Sequence, residues 1–285
     1  MSETKVSAVV VNGIELRYTV NNGKASICKM ESYLSGAISI PSKIGGFPVV
    51  SIGDCAFSGC IGLANVTIPD SVTNIGDGVF SDCDGLESIL VSMRNANYKS
   101  VNGLLLSDDG KILICGVNGD VVVPDGVVII GDYAFYGFTG LTSITIPNSV
   151  RSIGNGAFEG CSGLRSITIG NGVTRIGEGA FSGCGSLKTI LVDSENANYK
   201  TVNGLLLSHN GKTLIRGING DIVVPDGVVS IGDDAFSGCN GLTSITIPDS
   251  VKGVEKGAFH DCRGLTSVVI CNRDTRVTVT LGVED

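Results

Sequence analysis

The sequence predicts a β-solenoid, a single domain of about ten stacked strands around one continuous hydrophobic core. The first reason is a pattern, V-x-x-I-G-x-x-A-F-x-x-C-x-x-L-x-x-I-x-I-P, that recurs seven times. The second is glycine, which fills 41 of 285 positions, about twice its usual ~7%, and therefore indicates a regular need for turns. A unit this short cannot bury its apolar residues alone, so the copies must stack. The seven copies begin at Val49, Val72, Val127, Val150, Val173, Val228 and Val251.

The spacing of the copies divides the chain. Successive copies are 23 residues apart except at two places, where 32 extra residues make the spacing 55. These insertions, near 95–126 and 196–227, differ from each other at only seven positions. We therefore assign 49–270 to the repeats, 1–48 to an N-terminal cap with a first solenoid strand, and 271–285 to a C-terminal strand and tail, all in one continuous domain.

Each repeat predicts one strand followed by one convex segment. In Leu141–Pro147, Ile144 and Ile146 alternate with polar residues, the period of two that is typical of a half-buried strand, and proline ends the strand. The convex segment, Gly-Asp/Asn-x-Ala-Phe, predicts a short helical turn because Asp and Asn cap helices. Its Phe is expected to point into the core, since seven of the nine phenylalanines occupy this column.

The two insertions predict β-hairpins. Asp109-Gly110 in the first and Asn210-Gly211 in the second lie between apolar runs, and such pairs are the strongest short-range hairpin signals. Each insertion ends on a copy of the strand motif, Val121-x-Val123-Pro in the first. We therefore expect each insertion to form a projecting hairpin plus one further solenoid strand.

The repeat columns I-G-x-x-A-F-x-x-C-x-x-L-x-x-I-x-I-P closely resemble the BspA-type leucine-rich repeats, also called Treponema pallidum-type. The resemblance covers roughly Ile38 to Ile270 and is highly specific, because seven copies share the columns in phase. It implies a right-handed leucine-rich-repeat horseshoe or curved rod, α/β but mostly β, with the L-x-x-I-x-I strands on the concave side. Family members are mostly surface or secreted proteins of bacteria and some anaerobic protists, associated with adhesion, and they share no catalytic residues.

Composition argues against several classes of function. The net charge of −8 comes without a Lys/Arg cluster, which argues against nucleic acid as a partner. No apolar run reaches the ~18 residues of a transmembrane helix. The first residues lack a signal-peptide pattern, and no anchor motif follows Leu281, which are two departures from the family pattern.

The cysteines predict a reduced internal ladder rather than a disulfide framework. Six of the ten share one repeat column, in which the third repeat has Phe138, so the column is apolar and buried. Stacked neighbours lie about 4.8 Å apart, farther than the ~3.8 Å Cβ separation of a disulfide. The redox state of Cys28, Cys55, Cys115 and Cys271, outside the column, stays open. The column cysteines are Cys60, Cys83, Cys161, Cys184, Cys239 and Cys262.

No pattern predicts a catalytic, cofactor or metal site. Only two histidines and no C-x-x-C occur, which argues against zinc. Gly211-Lys212-Thr213 is similar to the end of a phosphate-binding loop, but Leu206 stands where the first glycine is required. No G-x-S-x-G is present. We therefore predict a protein that is not an enzyme and takes no cofactor or metal.

The outward positions of the strands form the candidate partner-binding surface. They are nearly uncharged and rich in hydroxyls, and the alternative is that Ser and Thr merely suit solvent-facing strands. Tyr133 and Tyr136, on the convex side, are a second candidate because tyrosine is enriched in contact hot spots. The concave candidates are Asn65, Ser88, Leu90, Ser143, Thr145, Ser166, Thr168, Thr189, Leu191, Ser244 and Thr246.

Together these observations favour a non-enzymatic microbial cell-surface or secreted protein that mediates adhesion-type interactions. Its partner would be a protein or glycan, with host extracellular matrix among the candidates. One alternative is an intracellular, cytoplasmic repeat scaffold, which the missing signal and the reduced cysteines favour. Another is a binding module of a larger adhesin or enzyme. The sequence does not define the identity of the partner or the oligomeric state.

Overall fold

The computed structural model describes residues 5–11, 13–30, 34–272 and 275–280, with side chains as far as Cys271. In this part of the chain the protein forms 28 strands and no helix. The strands belong to an N-terminal meander, a long ladder, a short ladder and two insertions. The predicted solenoid is confirmed.

The N-terminal meander covers the first turn of the solenoid. Its three antiparallel strands end in β3, which pairs in parallel with the strand Phe47–Ile52 of the solenoid. Asn22 and Gly23, with φ of 48° and 71°, form the tight turn before β3, and the side chain of Leu16 is fully buried against the core. The strands are β1 (Val6–Val11), β2 (Ile14–Asn21) and β3 (Lys24–Ile27).

The long ladder consists of the repeat strands, which pair in parallel and in repeat register, as Thr145 does with Thr168. Within the described chain it divides into three sheets, because pairing stops at each insertion. The final strand, β28, turns back antiparallel to β27. The sheets are β4 (Ser35–Ser39), β7 (Gly62–Ile68) and β9 (Ser88–Val91); β13 (Gly119–Val122), β15 (Leu141–Ile146), β17 (Ser166–Ile169) and β19 (Thr189–Val192); and β23 (Gly220–Val223), β25 (Leu242–Ile247), β27 (Ser267–Asn272) and β28 (Thr275–Thr280).

The short ladder follows the turn after each long strand. Its strands are mostly two residues long and also pair in parallel from repeat to repeat, except that β5 lies antiparallel to β6. They are β5 (Lys43–Ile44), β6 (Phe47–Ile52), β8 (Asn74–Ile75), β14 (Ile129–Ile130), β16 (Ser152–Ile153), β18 (Arg175–Ile176), β24 (Ser230–Ile231) and β26 (Gly253–Val254).

Each insertion is a three-stranded meander built into the wall of the solenoid. Its last strand joins the short ladder, β12 beside β14 and β22 beside β24. The expected projection is wrong, because Leu104, Leu105 and Leu106 of the middle strand are at most 1% exposed. The strands are β10 (Tyr98–Val101), β11 (Leu104–Ser107) and β12 (Ile112–Cys115), and β20 (Tyr199–Val202), β21 (Leu205–Ser208) and β22 (Thr213–Arg216).

The convex segments are turns, so the predicted helical turns are wrong. Alternate backbone amides bond to the next repeat, as when Phe57 N–H donates to the Val79 carbonyl at 2.9 Å, while those between them close single turns, as when Ser58 N–H donates to the Cys55 carbonyl at 3.1 Å. The expected cap residue also serves the next repeat: Asp132 Oδ1 accepts a hydrogen bond from Asn155 N–H at 2.7 Å. The residue after it has a left-handed backbone in all seven repeats, with φ from 51° to 66°, and this conformation does not continue a helix.

The core contains two stacked side-chain columns. Phe158 stacks between Phe135 and Phe181, with ring centroids 5.1 and 5.6 Å away. Beside it, the Cys184 thiol donates a hydrogen bond to the Phe158 carbonyl of the preceding repeat, with Sγ 3.1 Å from that oxygen. Cys83, Cys161 and Cys262 make the same contact one repeat back. All ten cysteines are free, and five of the six column cysteines are buried, while the reduced state of the ladder stays a prediction.

Candidate binding surface

The outward side chains of the long ladder form a surface that we call the strand face. It contains the eleven candidates predicted from the repeat columns, and none of them is buried. Ladder pairing aligns them in rows, such as Ser143, Ser166 and Thr189 across β15, β17 and β19. The rows are broken at the insertions, so the face has three sections rather than one continuous sheet.

Large apolar side chains flank both breaks in the strand face. Leu90 is 53% exposed on one side of the first break, and Val122 is 62% exposed on the other. Leu191 and Val223 repeat this arrangement at the second break, with exposures of 54% and 61%. Both valines were missing from the predicted candidates, although the apolar-polar alternation fails in the strings Val121-Val122-Val123 and Ile222-Val223-Val224.

Each break also carries a carboxylate aligned with the hydroxyl row. Asp120 Oδ1 accepts hydrogen bonds from Thr142 Oγ1 at 2.6 Å and Ser143 Oγ at 2.7 Å, and these bonds lower the pKa of the Asp120 carboxyl. Asp221 makes the same two bonds with Thr243 and Ser244 and has a lowered pKa for the same reason. Neither aspartate was among the predicted candidates, although each insertion contains the same Asn-Gly-Asp string.

Two depressions open on the strand face. One, of about 380 Å³, lies at the first break and is lined in part by Glu87, Asp120 and Val122. The other, of about 450 Å³, is shallow and runs past Thr145, Thr168 and Leu191, with Asp125 and Asp193 at its edges. The charged residues that line both depressions are all acidic.

Buried amides hold the insertions and thereby fix the breaks. Asn95 Nδ2 donates to the carbonyls of Pro69 and Val72, both at 2.9 Å, while its Oδ1 accepts from the amides of Asn97 and Tyr98. Asn196 does the same in the second insertion. From the sequence alone these two asparagines were recognised only as the first residues of the insertions.

The tyrosines divide into scaffold and surface groups. Tyr98 and Tyr199 accept hydrogen bonds from the amides of Ile75 and Ile176 at 3.0 and 3.1 Å, where the short ladder is interrupted, so their role is scaffolding. Tyr133 and Tyr136 lie on the turn side with ring centroids 5.7 Å apart and an interplanar angle of 71°. They belong to a convex turn segment, on what we call the turn side, and lie outside the long strands that form the strand face.

Among the residues that the structure describes, no group of three or more His, Cys, Asp or Glu side chains is arranged to hold a metal ion. The same residues include no helix of the length and hydropathy needed to cross a membrane.

This fold and surface define a leucine-rich-repeat solenoid that presents a repeated polar face. The sequence model described as BspA type leucine rich repeat region matches 34–102, 115–203 and 219–279, in six copies. The chain therefore belongs to the BspA-type leucine-rich-repeat family, whose repeats generally serve as non-enzymatic binding scaffolds. The unmatched 103–114 and 204–218 fall inside the insertions.

Solved structures of bacterial leucine-rich-repeat proteins share the fold. A leucine rich cell surface protein from Faecalibacterium prausnitzii A2-165 is similar with a TM-score of 0.56 and 28% identity, over 92% of this chain and 76% of that one. A leucine-rich repeat protein from Eubacterium ventriosum has a TM-score of 0.55 and 21% identity, over 90% of each chain. No curated protein matches the chain.

Proposed function

We propose that this protein is a non-enzymatic bacterial surface or secreted protein that holds a protein partner on the strand face. The observation that carries the proposal is two matching pairs of exposed apolar residues, Leu90 with Val122 and Leu191 with Val223. Each of these four side chains is more than half exposed. Large exposed apolar side chains in a polar surround are typical of protein contact sites. Their placement at both breaks supports two equivalent contact points for one partner.

The charge of the strand face indicates which kind of partner it can bind. Glu87, Asp120, Asp125 and Asp193 line its depressions, and the whole chain carries −8. A partner segment with basic residues beside apolar ones complements this surface, and its association is expected to weaken with salt. A protein ligand therefore fits better than a neutral glycan.

A binding screen with paired variants tests the proposal. The purified chain is assayed on immobilised matrix proteins, mucins and glycans, beside Thr145→Arg/Thr168→Arg, which charges the strand face. The matched control, Thr73→Arg/Thr174→Arg, adds the same charge at exposed positions of the short-ladder side. We expect saturable binding that the first variant loses and the control keeps. Equal binding by both variants would contradict a site on the strand face.

The location at the cell surface is the second part of the proposal. The similarity to a Faecalibacterium prausnitzii cell surface protein at 28% identity supports it. Antibodies to the chain should then label intact cells of the source organism. Labelling only after permeabilisation would instead favour the intracellular scaffold, which the ten free cysteines support because reduced thiols are usual inside cells.

A further inference from the structure

A cleft on the turn side separates the second and third repeats. It has a volume of about 270 Å³ and lies between the segments 75–81 and 131–138, with Ile112, Ile114 and Cys115 of β12 as its floor. We call it the first turn cleft. It exists because the insertion separates the phenylalanine column at this point: Phe80 stacks on Phe57, and Phe135 stacks on Phe158.

The wall of the cleft contains a tyrosine at a position where most repeats have glycine. Tyr133 has a φ of 56° and is 46% exposed, with its ring edge-on to Tyr136. The left-handed backbone is costly for a bulky residue. Four of the seven repeats have glycine at this position: Gly78, Gly156, Gly179 and Gly257. The Tyr133 ring packs over Gly156 of the next repeat, and the residue also lines the cleft. A large aromatic at a strained position in the wall of a cleft is a candidate for recognition.

The cleft is also negative. Asp77 and Asp132 line it, and its lining residues include no Lys or Arg. In two other repeats the carboxylate in this column accepts an amide from the next repeat: Asp54 accepts from Asp77 at 3.1 Å, and Asp132 accepts from Asn155 at 2.7 Å. Asp77 is the last residue of this column before the insertion, and no amide among the described residues donates to its carboxylate in this way. Its charge therefore faces the cleft without that partner.

The surroundings of Tyr136 also have a negative electrostatic potential. Burial raises the pKa of the Tyr136 hydroxyl, and the nearby charges of Glu159 and Asp82 raise it further. Burial and the charge of Asp84 likewise raise the pKa of the Asp82 carboxyl. A positive charge entering the cleft would relieve these interactions.

The second insertion creates an equivalent cleft that this chain fills itself. There Arg216 replaces Cys115 and is 1% exposed, with its guanidinium donating to the carbonyls of Asp234, Ser237 and Cys184 at 3.0 to 3.1 Å. Asp234 and Ser237 replace the two tyrosines. The remaining volume is about 130 Å³, roughly half that of the first cleft. The second cleft thus holds an organic cation that is part of the protein, and the first lacks it.

We propose that the first turn cleft binds an organic cation, an alkylammonium or guanidinium group, between the Tyr133 ring and the Asp77 carboxylate. A cation within about 6 Å of a tyrosine ring is attracted by its π-system. The carboxylate supplies the charge-assisted hydrogen bond. This site is distinct from the strand face, because none of its lining residues belongs to a long strand.

Calorimetric titration tests the site with small probes. The probes are the N-acetyl, N-methylamide derivatives of lysine and arginine, with the norleucine derivative as the neutral control. We expect saturable one-to-one binding of the two cations and at least tenfold weaker binding of norleucine. The same lysine within a Gly-Gly-Lys-Gly-Gly peptide distinguishes the source: tighter binding of the peptide indicates a protein side chain, and equal binding a free amine. Binding of none of the cations, or equal binding of norleucine, would overturn the proposal.

Variants locate the binding within the molecule. Tyr133→Gly installs the residue that four repeats use, so it should fold, and it is expected to weaken cation binding at least tenfold; Asp77→Asn should act similarly. The matched control Asp234→Gly makes the same backbone change in the second cleft and should bind as the unmodified protein does. Cys115→Arg/Phe138→Cys copies the second cleft and should abolish binding. Unchanged affinity in both Tyr133→Gly and Asp77→Asn would overturn the assignment.

Discussion

At the scale of single residues, the phenylalanine column contributes most to stability. Phe158 is fully buried and stacked on both faces, whereas Thr145 on the strand face is exposed. Phe158→Ala should lower the free energy of unfolding by about 3–5 kcal/mol through the cavity it leaves. Thr145→Ala should change it by less than about 0.5 kcal/mol. Urea unfolding of the two variants measures both values, and equal stabilities would mean that the two faces are assigned wrongly.

The cysteine column predicts a loss of stability in alkali. Burial raises the pKa of the Cys83 and Cys184 thiols from 9.0 to about 12. The unfolded thiols ionise first, so above pH 9 the unfolded chain binds fewer protons than the folded one. The stabilisation is therefore complete below pH 9 and is lost as the pH rises from about 9 to about 12.

Unfolding measured across this pH range should show the loss, and Cys184→Ala should show a shallower slope. Identical slopes in the variant and the unmodified protein would contradict a protonated, buried Cys184. Thiol labelling at neutral pH gives an independent check, because Cys55 is exposed and should react well before the column cysteines.

At the scale of elements, the two insertions solve one packing problem in two ways. Both interrupt the phenylalanine column, and the gap must be filled. The first insertion combines small Cys115 with large Phe138, whose ring lies edge-on to Phe135 at 6.3 Å. The second combines large Arg216 with small Cys239, and Arg216 Nη2 lies 3.4 Å from Cys239 Sγ. The phenylalanine in the cysteine column is therefore a compensation for Cys115.

A double-mutant cycle tests this compensation. Arg216→Cys should destabilise the protein by about 2–4 kcal/mol, because it leaves a void and three carbonyls without their donor. Adding Cys239→Phe recreates the first arrangement and should recover at least about 1 kcal/mol relative to the sum of the single changes. Additive effects would show that the two positions are not coupled.

Comparison of the individual elements shows which sequence patterns were sufficient to predict secondary structure. The strands were predicted because apolar residues alternate within each repeat, as in Ile144 and Ile146. The helical turns were not correct, because an Asp or Asn that caps a helix can equally accept the amide of a neighbouring repeat, as Asp132 does. The extra hairpin strand was missed even though Asn102-Gly103, with φ of 53° and 79°, carries the same turn signal as Asp109-Gly110.

At the scale of the whole molecule, repetition made the fold predictable and the breaks unpredictable. Seven copies in phase specify the stacking, and the outward columns follow from it. The positions where stacking fails depend on how an insertion packs, which is a long-range effect of residues such as Asn95 and Leu105. The exposed apolar pairs of the strand face and the turn clefts all lie at these breaks. The least repetitive parts of the chain therefore carry its most specific surfaces.

The proposed function requires that a bound partner cover the strand face and leave the turn side open. Hydroxyl-radical footprinting of the complex measures this directly, since exposed Leu and Tyr side chains are both oxidised. Binding should protect Leu90 and Leu191 while the oxidation of Tyr133 stays unchanged. Protection of Tyr133 with continued oxidation of both leucines would contradict the account and move the principal partner site to the turn side.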